Sequence, residues 1–228
     1  MSDIYLLWPT IRPTIMVETF NNWRALASKD NNIHLEVAVN TTKQAQTVQK
    51  LLDGFGRVIN IDNKKIGVTR AATVLSRGVN CKSPNDIVIL ASDDMYPFKN
   101  WDRWIVKQLK KKTGCLIVKD GHNDGGVVTI PIMTYSCLRR LNHIIYHPDY
   151  DHLYSDAELM DNLKALNLDI NVRDKAPSFE HRHWACNKRE KDAFDHKFVE
   201  SMDKDAKTYN RRKILPVKQR LQLSVKQK

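Results

Sequence analysis

Short apolar runs alternate with segments of helical spacing three times in the first ninety residues, and this rhythm constrains the fold more than anything else in the chain. Ile4–Leu7 reads as a strand, stopped by Trp8-Pro9-Thr10-Ile11-Arg12-Pro13, where two prolines prevent its continuation. Thr14 to about Ser28 has Ile15, Phe20, Trp23 and Leu26 at roughly helical spacing. Ile33–Val39 is a second strand, Lys43–Leu52 a helix and Val58–Ile61 a third strand. Lys64-Lys65-Ile66-Gly67-Val68-Thr69-Arg70 then leads a helix to about Gly78, and Asp86–Ala91 is the fourth strand. Strands separated by helices predict a mostly parallel sheet with crossover helices on its faces. No GxGxxG follows the first strand and no GxxxxGK[ST] occurs, so a dinucleotide fold or P-loop lacks support.

After Lys110-Lys111-Lys112 the rhythm changes. Strands are expected at Cys115–Lys119, at Val127–Ile132 near an edge because of Pro131, and at Leu168–Val172. A polar, glycine-rich loop runs from Asp120 to Gly126. Helices are expected at Ser136–Asn142, from Ser155 to about Leu166, and, heavily charged, from about Lys188 to Asn210. The expected organisation is an α/β domain over 1–185 with a basic helical C-terminal extension over 186–228.

The chemistry concentrates where the fourth strand ends, in Ser92-Asp93-Asp94. Two adjacent carboxylates beside a buried strand are costly unless a cation accompanies them. The carboxyl ends of strands are also where open α/β sheets bind ligands. A divalent metal satisfies both conditions, since hard cations take carboxylate oxygens and share them with phosphates. The plainer reading is a loop acid capping the next helix.

Charge is uneven. The net +11 divides into +7 over 186–228 (13 Lys+Arg against 6 Asp+Glu) and +4 over 1–185 (24 against 20). From Tyr209 onward there are seven basic residues and no acid. The segment is either a solvated, frayed tail or a polyanion contact, with nucleic acid the commonest candidate. No apolar run approaches the roughly 18 residues a membrane span needs, and Met1–Tyr5 has no basic region followed by an apolar one. Neither a transmembrane helix nor a signal peptide is expected. Cys81, Cys115, Cys137 and Cys186 lack CxxC spacing, which suits reduced thiols in a cytoplasm.

Other candidates each carry a plain alternative. Ser155-Asp156-Ala157-Glu158 is a capping box, which explains Ser155 and Glu158 but leaves Asp156 as a candidate general base. His181 and His183 face one way on an extended segment. With Cys186 they suggest zinc, but no fourth ligand is spaced to match; one histidine could join the Asp93/Asp94 metal, or both are merely satisfied. Arg70, behind Lys64 and Lys65, could hold a diphosphate or be a solvated charge. Thr10 and Asn40 end strands, where a base or ribose could be read. Trp101, Trp104, Tyr150, Tyr154 and Trp184 could stack on a nucleobase or simply pack.

Together these pieces resemble a GT-A nucleotide-sugar glycosyltransferase over about residues 4–184, most closely the small phage-encoded members. Trp8–Pro13 resembles the first strand-end loop beside the nucleotide, Gly67–Ala71 the GxxxAR-type segment, Leu90–Asp94 the DxD strand end, and Ser155–Leu159 the (E/D)DxEL segment. His181-Arg182-His183 is similar to the late histidine of the metal site. Ala91 stands where such motifs carry a first acid, Asn40 where an acid is commoner, and Trp184 where Pro is frequent. The resemblance implies a GT-A-like central sheet, Mn2+ or Mg2+, and a nucleotide-diphosphate sugar, a UDP-sugar being the favoured donor. It implies Asp94, Asp93 and His183 at the metal, and Pro9, Thr10, Arg12, Asn40, Arg70 and Asp93 at the nucleotide sugar. Asp156 would be the base of an inverting transfer. Phage character and the basic C-terminal segment suggest DNA as partner, with a hydroxymethylated pyrimidine as acceptor in a host cytoplasm. A glycan, lipid or protein acceptor is the alternative. A non-catalytic basic nucleic-acid-binding α/β domain is the reading from another class.

Overall fold

Ile4, Leu6 and Trp8 point to one side of the first strand and Tyr5 and Leu7 to the other, and all are buried, so this strand must lie between two layers. The computed structural model describes residues 1–62, 67–121, 126–175, 177–182, 188, 190 and 201–223. Its first half follows the alternation: β1 (Asp3–Pro9), α1 (Pro13–Leu26), β2 (Asn32–Val39), α2 (Thr42–Leu51), β3 (Arg57–Asn60), α3 (Val68–Gly78) and β4 (Ile87–Leu90). Then come β5 (Met95–Tyr96), α4 (Trp101–Leu109), β6 (Cys115–Ile117), β7 (Ile132–Thr134), α5 (Tyr135–Arg140), α6 (Ser155–Ala165), β8 (Asp169–Asn171) and β9 (Glu180–His181). Two C-terminal helices, α7 (Met202–Lys213) and α8 (Val217–Arg220), complete the described elements.

The described strands form a seven-stranded sheet in the order β3-β2-β1-β4-β7-β6-β8. β3, β2, β1 and β4 are mutually parallel, as are β6 and β8; β7 runs antiparallel to both its neighbours. One face is covered by α1, α2 and α4 through Phe20, Trp23, Val48 and Ile105, the other by α3, α5 and α6 through Leu75, Leu138 and Leu163. The chain order along the sheet reverses between β1 and β4, and the crevice beyond their carboxyl ends is the expected ligand position.

Local chemistry sets the boundaries. Pro13 opens α1, where a missing N–H is harmless, and the Thr41 hydroxyl caps α2 by accepting from Gln44 N–H. The strand expected at Val127–Ile132 lies instead at Ile132–Thr134. Pro131 has no N–H to donate; it offers only its carbonyl, to Leu90, and ladder pairing starts after it. The charged helix expected from Lys188 is described only from Met202, and it runs on to Lys213 before Ile214-Leu215-Pro216. Within 201–223 the chain is not a frayed tail. Leu221 and Leu223 are buried, and Asn142 and His147 hydrogen-bond the carbonyls of Leu221 and Gln222.

The expected capping box does not form. Tyr154 occupies the cap position, the Ser155 hydroxyl donates to the His152 carbonyl, and Glu158 is buried against Arg212. A salt bridge in the interior outcompetes a local backbone contact for the carboxylate. The aromatic candidates are packed as well: Trp101 and Tyr150 are fully buried, Trp104 meets Phe98 and Tyr154 stacks on Tyr209. Trp184 lies outside the described residues.

Candidate active site

The loop after β4 is clamped from beneath. Trp8 Nε1–H donates to one oxygen of Asp93 at 2.9 Å and the Thr10 hydroxyl to the other at 2.8 Å. The Thr19 hydroxyl donates to the Asp93 carbonyl and Trp23 Nε1–H to the Met95 carbonyl, both at 2.8 Å. Trp23 is itself fixed by edge contacts with Trp8 and Trp101, each aromatic pair worth about 0.5–1.5 kcal/mol beyond its buried area. Burial pushes the Asp93 carboxyl up to about 7, although the Thr10 and Trp8 bonds and nearby Arg12 pull the other way. Asp93 is therefore a brace whose two oxygens are both engaged.

Asp94, the next residue, faces differently. Antiparallel pairing of β5 with β9 sets Met95 opposite His181, and Arg182 N–H donates to the Asp94 carbonyl at 2.7 Å. That pairing brings His181 Nε2 to 3.5 Å from Asp94 Oδ2, while the Ser92 hydroxyl donates to Asp94 Oδ1. The other ring nitrogen of His181 lies 3.3 Å from Asp120, a fully buried carboxylate just past β6. Burial opposes a charged ring, but Asp120 and Asp94 outweigh it and hold His181 up to about 9.

Asp156 enters from α6. Its Oδ1 accepts its own neighbour's Ala157 N–H at 2.8 Å. Burial raises its pKa, and the negative charge of Asp120 adds to the effect. Asp94, His181 and Asp120 are thus linked in sequence by direct contacts, and Asp156 feels that group only through the charge of Asp120. Asp120 was not singled out from sequence. Its signal was present: a short apolar run ending in Lys119-Asp120-Gly121 repeats, more faintly, the strand-to-acid pattern of β4.

The remaining candidates divide. Thr10 is buried, bonds Asp93 and accepts from Arg12 N–H at 2.9 Å, so Thr10 and Arg12 sit beside Asp93, and Pro9 ends β1 just before them. Asn40 is buried at the end of β2, its N–H donating to Gln44 Oε1. Arg70 is exposed on the first turn of α3, where its Nε donates to the Pro148 carbonyl at 3.3 Å. His183, Lys64, Lys65 and Cys186 lie outside the described residues. The histidine that meets Asp94 within the described residues is His181, two positions earlier than the expected ligand.

A divalent ion fits the donor set by chemistry. Among the described residues no three His, Cys, Asp or Glu side chains are arranged as a ready cage. In the metal-free protein His181 carries protons on both nitrogens, and an ion between Asp94 and His181 would displace the Nε2 proton to take an oxygen and an imidazole nitrogen side by side. Ions such as Mg2+ are commonly held by one or two protein groups plus substrate phosphates and water. No helix among the described residues is long and apolar enough to cross a membrane.

No family model and no curated protein matches this chain. Solved structures do match in fold. TarS of S. aureus is 14% identical over 79% of this chain and 36% of TarS, with a TM-score of 0.62. The mannosyltransferase PcManGT from Pyrobaculum calidifontis, solved with GDP-Man and Mn2+, is 13% identical over 77% of this chain and 54% of its own, with a TM-score of 0.57. Glucosyl-3-phosphoglycerate synthase from Mycobacterium tuberculosis, solved with Mn2+, UDP and phosphoglyceric acid, is 13% identical over 94% of this chain and 80% of its own, with a TM-score of 0.59. The chain spans between about a third and three fifths of the TarS structures it matches. In fold, then, this is an α/β chain of the GT-A kind, with its central sheet mostly parallel and helices on both faces.

Proposed function

We propose that the chain is a metal-dependent glycosyltransferase that moves a sugar from a nucleotide-diphosphate donor to an acceptor hydroxyl. One observation carries the reading: Asp94, His181 and Asp120 meet beyond the carboxyl ends of β4 and β6, and the charge of Asp120 reaches Asp156 on α6. That is the rim where an open α/β sheet binds its ligand. Fold neighbours solved with UDP-GlcNAc, with GDP-Man and Mn2+, or with Mn2+ and UDP support it.

Asp94 and His181 would hold Mn2+ or Mg2+, with His183 a further candidate. Bound there, the metal supplies Lewis-acid neutralisation of the departing diphosphate. Asp93, locked by Trp8 and Thr10, fixes the backbone from which Asp94 meets His181. Pro9, Thr10, Arg12 and Asn40 line the strand ends where base and ribose would lie, and Arg70 would meet the diphosphate. Asp156 would take the proton from the acceptor hydroxyl as it attacks the anomeric carbon and inverts it. A carboxyl with a raised pKa suits a general base working near neutral pH. UDP is the favoured nucleotide. The free thiols of Cys81, Cys115 and Cys137 suit a reducing cytoplasm.

For the acceptor we carry a hydroxymethylated pyrimidine in DNA. The support is the net charge of +11 and the exposed Lys204, Lys207, Arg211 and Lys213 on α7. Glycan, lipid or protein acceptors are the alternative; a basic DNA-binding domain without catalysis is the reading from another class. Incubation with UDP-glucose, UDP-N-acetylglucosamine or GDP-mannose, with Mn2+ or EDTA, tests the reaction by nucleotide release. Metal-dependent release supports transfer, and no release with any donor contradicts it. Sugar incorporation into hydroxymethylated but not unmodified duplex would identify the acceptor.

A further inference from the structure

We infer that Asp205 and Arg212, both on α7, are positioning residues for Asp156, an inference that rests on the transferase reading above. Asp156 lies in the first turn of α6, at the end of a loop that no strand supports. Just before it, Tyr154 adopts a left-handed conformation with φ 62°. A non-glycine residue holds such a conformation only where its surroundings over-determine it. The surroundings come from α7.

Asp205 is fully buried and serves as the anchor upstream of Asp156. One of its oxygens accepts Asp151 N–H at 2.9 Å, the other His152 N–H at 2.9 Å and Leu153 N–H at 2.8 Å. The Tyr209 ring stacks on that of Tyr154, and its hydroxyl donates to Asp161 on α6. Arg212 is the anchor downstream. Its Nε and one terminal nitrogen form a fork onto the two oxygens of Glu158, at 2.8 and 2.9 Å. Glu158 is buried, and the Tyr150 hydroxyl also donates to it. Arg212 further reaches Asp149 and the Arg220 carbonyl, tying loop and α8 to the same point.

Asp156 is thus flanked by a backbone fixed at 151–153 and a side chain fixed at 158. Both restraints are water-excluded, charge-assisted contacts from a helix some fifty residues downstream. Neither Asp205 nor Arg212 needs to touch donor or acceptor for this role.

The test uses the full chain with UDP-glucose, UDP-N-acetylglucosamine and GDP-mannose as donors, water as acceptor, and calorimetric binding of UDP with Mn2+. Asp205→Asn keeps the side chain's shape but turns one acceptor oxygen into a donor facing backbone N–H groups. Its kcat is expected to fall about 10–100-fold, the effect of a small misplacement of a reacting group, with KM and UDP affinity within about twofold of wild type. Arg212→Lys, which keeps the charge and loses the fork, should recover part of the activity lost in Arg212→Met. If Arg212→Met fails to fold, Arg212→Met combined with Glu158→Gln removes both charges and takes its place. Unchanged kcat in Asp205→Asn, or an equal loss of kcat and UDP binding together with melting temperature, overturns the positioning role. A wild-type chain that neither binds UDP with Mn2+ nor releases nucleotide overturns the transferase reading instead, and the positioning role with it.

Discussion

The two sides of the candidate site are built by different means. The side we assign to the donor, Pro9–Arg12, Asn40 and Asp93–Asp94, sits directly on the ends of parallel strands and is braced by Trp8 and Thr10 at the end of β1 and by Thr19 and Trp23 of α1. The side that carries Asp156 has no such strand beneath it. Its loop is pressed onto α3, where Thr69 and Thr73 bond the Tyr150 and Tyr146 carbonyls, and is fastened by α7. The contact is close enough that a Cβ on Gly67 would come 2.7 Å from the Asp151 carbonyl oxygen. A sheet positions a side chain through many shared backbone bonds; a loop must be held by a few strong, buried ones. Substitutions on the two sides should therefore fail in different ways.

The largest expected effect separates them at once. Asp156→Asn should lose about 10²–10⁴ in transfer, as removal of a general base does, while UDP still binds with Mn2+. Retained turnover would remove Asp156 as base. Asp94→Asn should lose about 10²–10³ in turnover, the scale of an electrostatic contact to a developing charge, and should weaken metal-dependent nucleotide binding as well. Arg212→Met breaks the comparison from the other direction. A carboxylate left unpaired in the interior is destabilising by about 3–5 kcal/mol, and each kcal/mol corresponds to about 2–4 °C in a chain of this size. A melting temperature within a degree of wild type would show the Glu158 pair to be dispensable.

The smallest effect concerns Asp93 in the metal-free protein. Its carboxyl stands near 7 in the fold against an ordinary value of 3.8, because burial disfavours the charge. Between those two values the folded chain holds a proton that the unfolded chain has lost, so this group's contribution to stability declines as pH rises through that window. In EDTA, the melting temperature of wild type relative to Asp93→Asn should fall from pH 4 to pH 7. A constant difference would mean that Asp93 is already ionised in the fold.

The same contrast explains what was legible in the sequence. β1 to β4 and their crossover helices were readable because apolar period and proline breaks are local signals. Asp93 and Asp94 stood out because two acids after a buried strand are rare without a reason. Asp120 hid because, although its strand was readable, its acid stands alone at the head of a polar, glycine-rich loop rather than in a pair. The roles of Glu158 and Asp205 could not be read at all. Each depends on a partner some fifty residues away, and the local pattern around Glu158 pointed to a capping box that the interior overrode. The histidine of the site was readable as a pair, His181 and His183, but spacing could not say which would meet Asp94. The β5–β9 pairing, which brings His181 to it, is two residues long.

The central claim is that Asp94 and its neighbours grip a divalent ion that in turn grips a pyrophosphate. Isothermal calorimetry of UDP against the full chain, with Mn2+ and then with EDTA, tests it most directly. The account predicts binding with Mn2+, loss of that binding in EDTA and in Asp94→Asn, and retention in Asp156→Asn. UDP binding that ignores both the metal and the Asp94 substitution, or no binding at all, would contradict it.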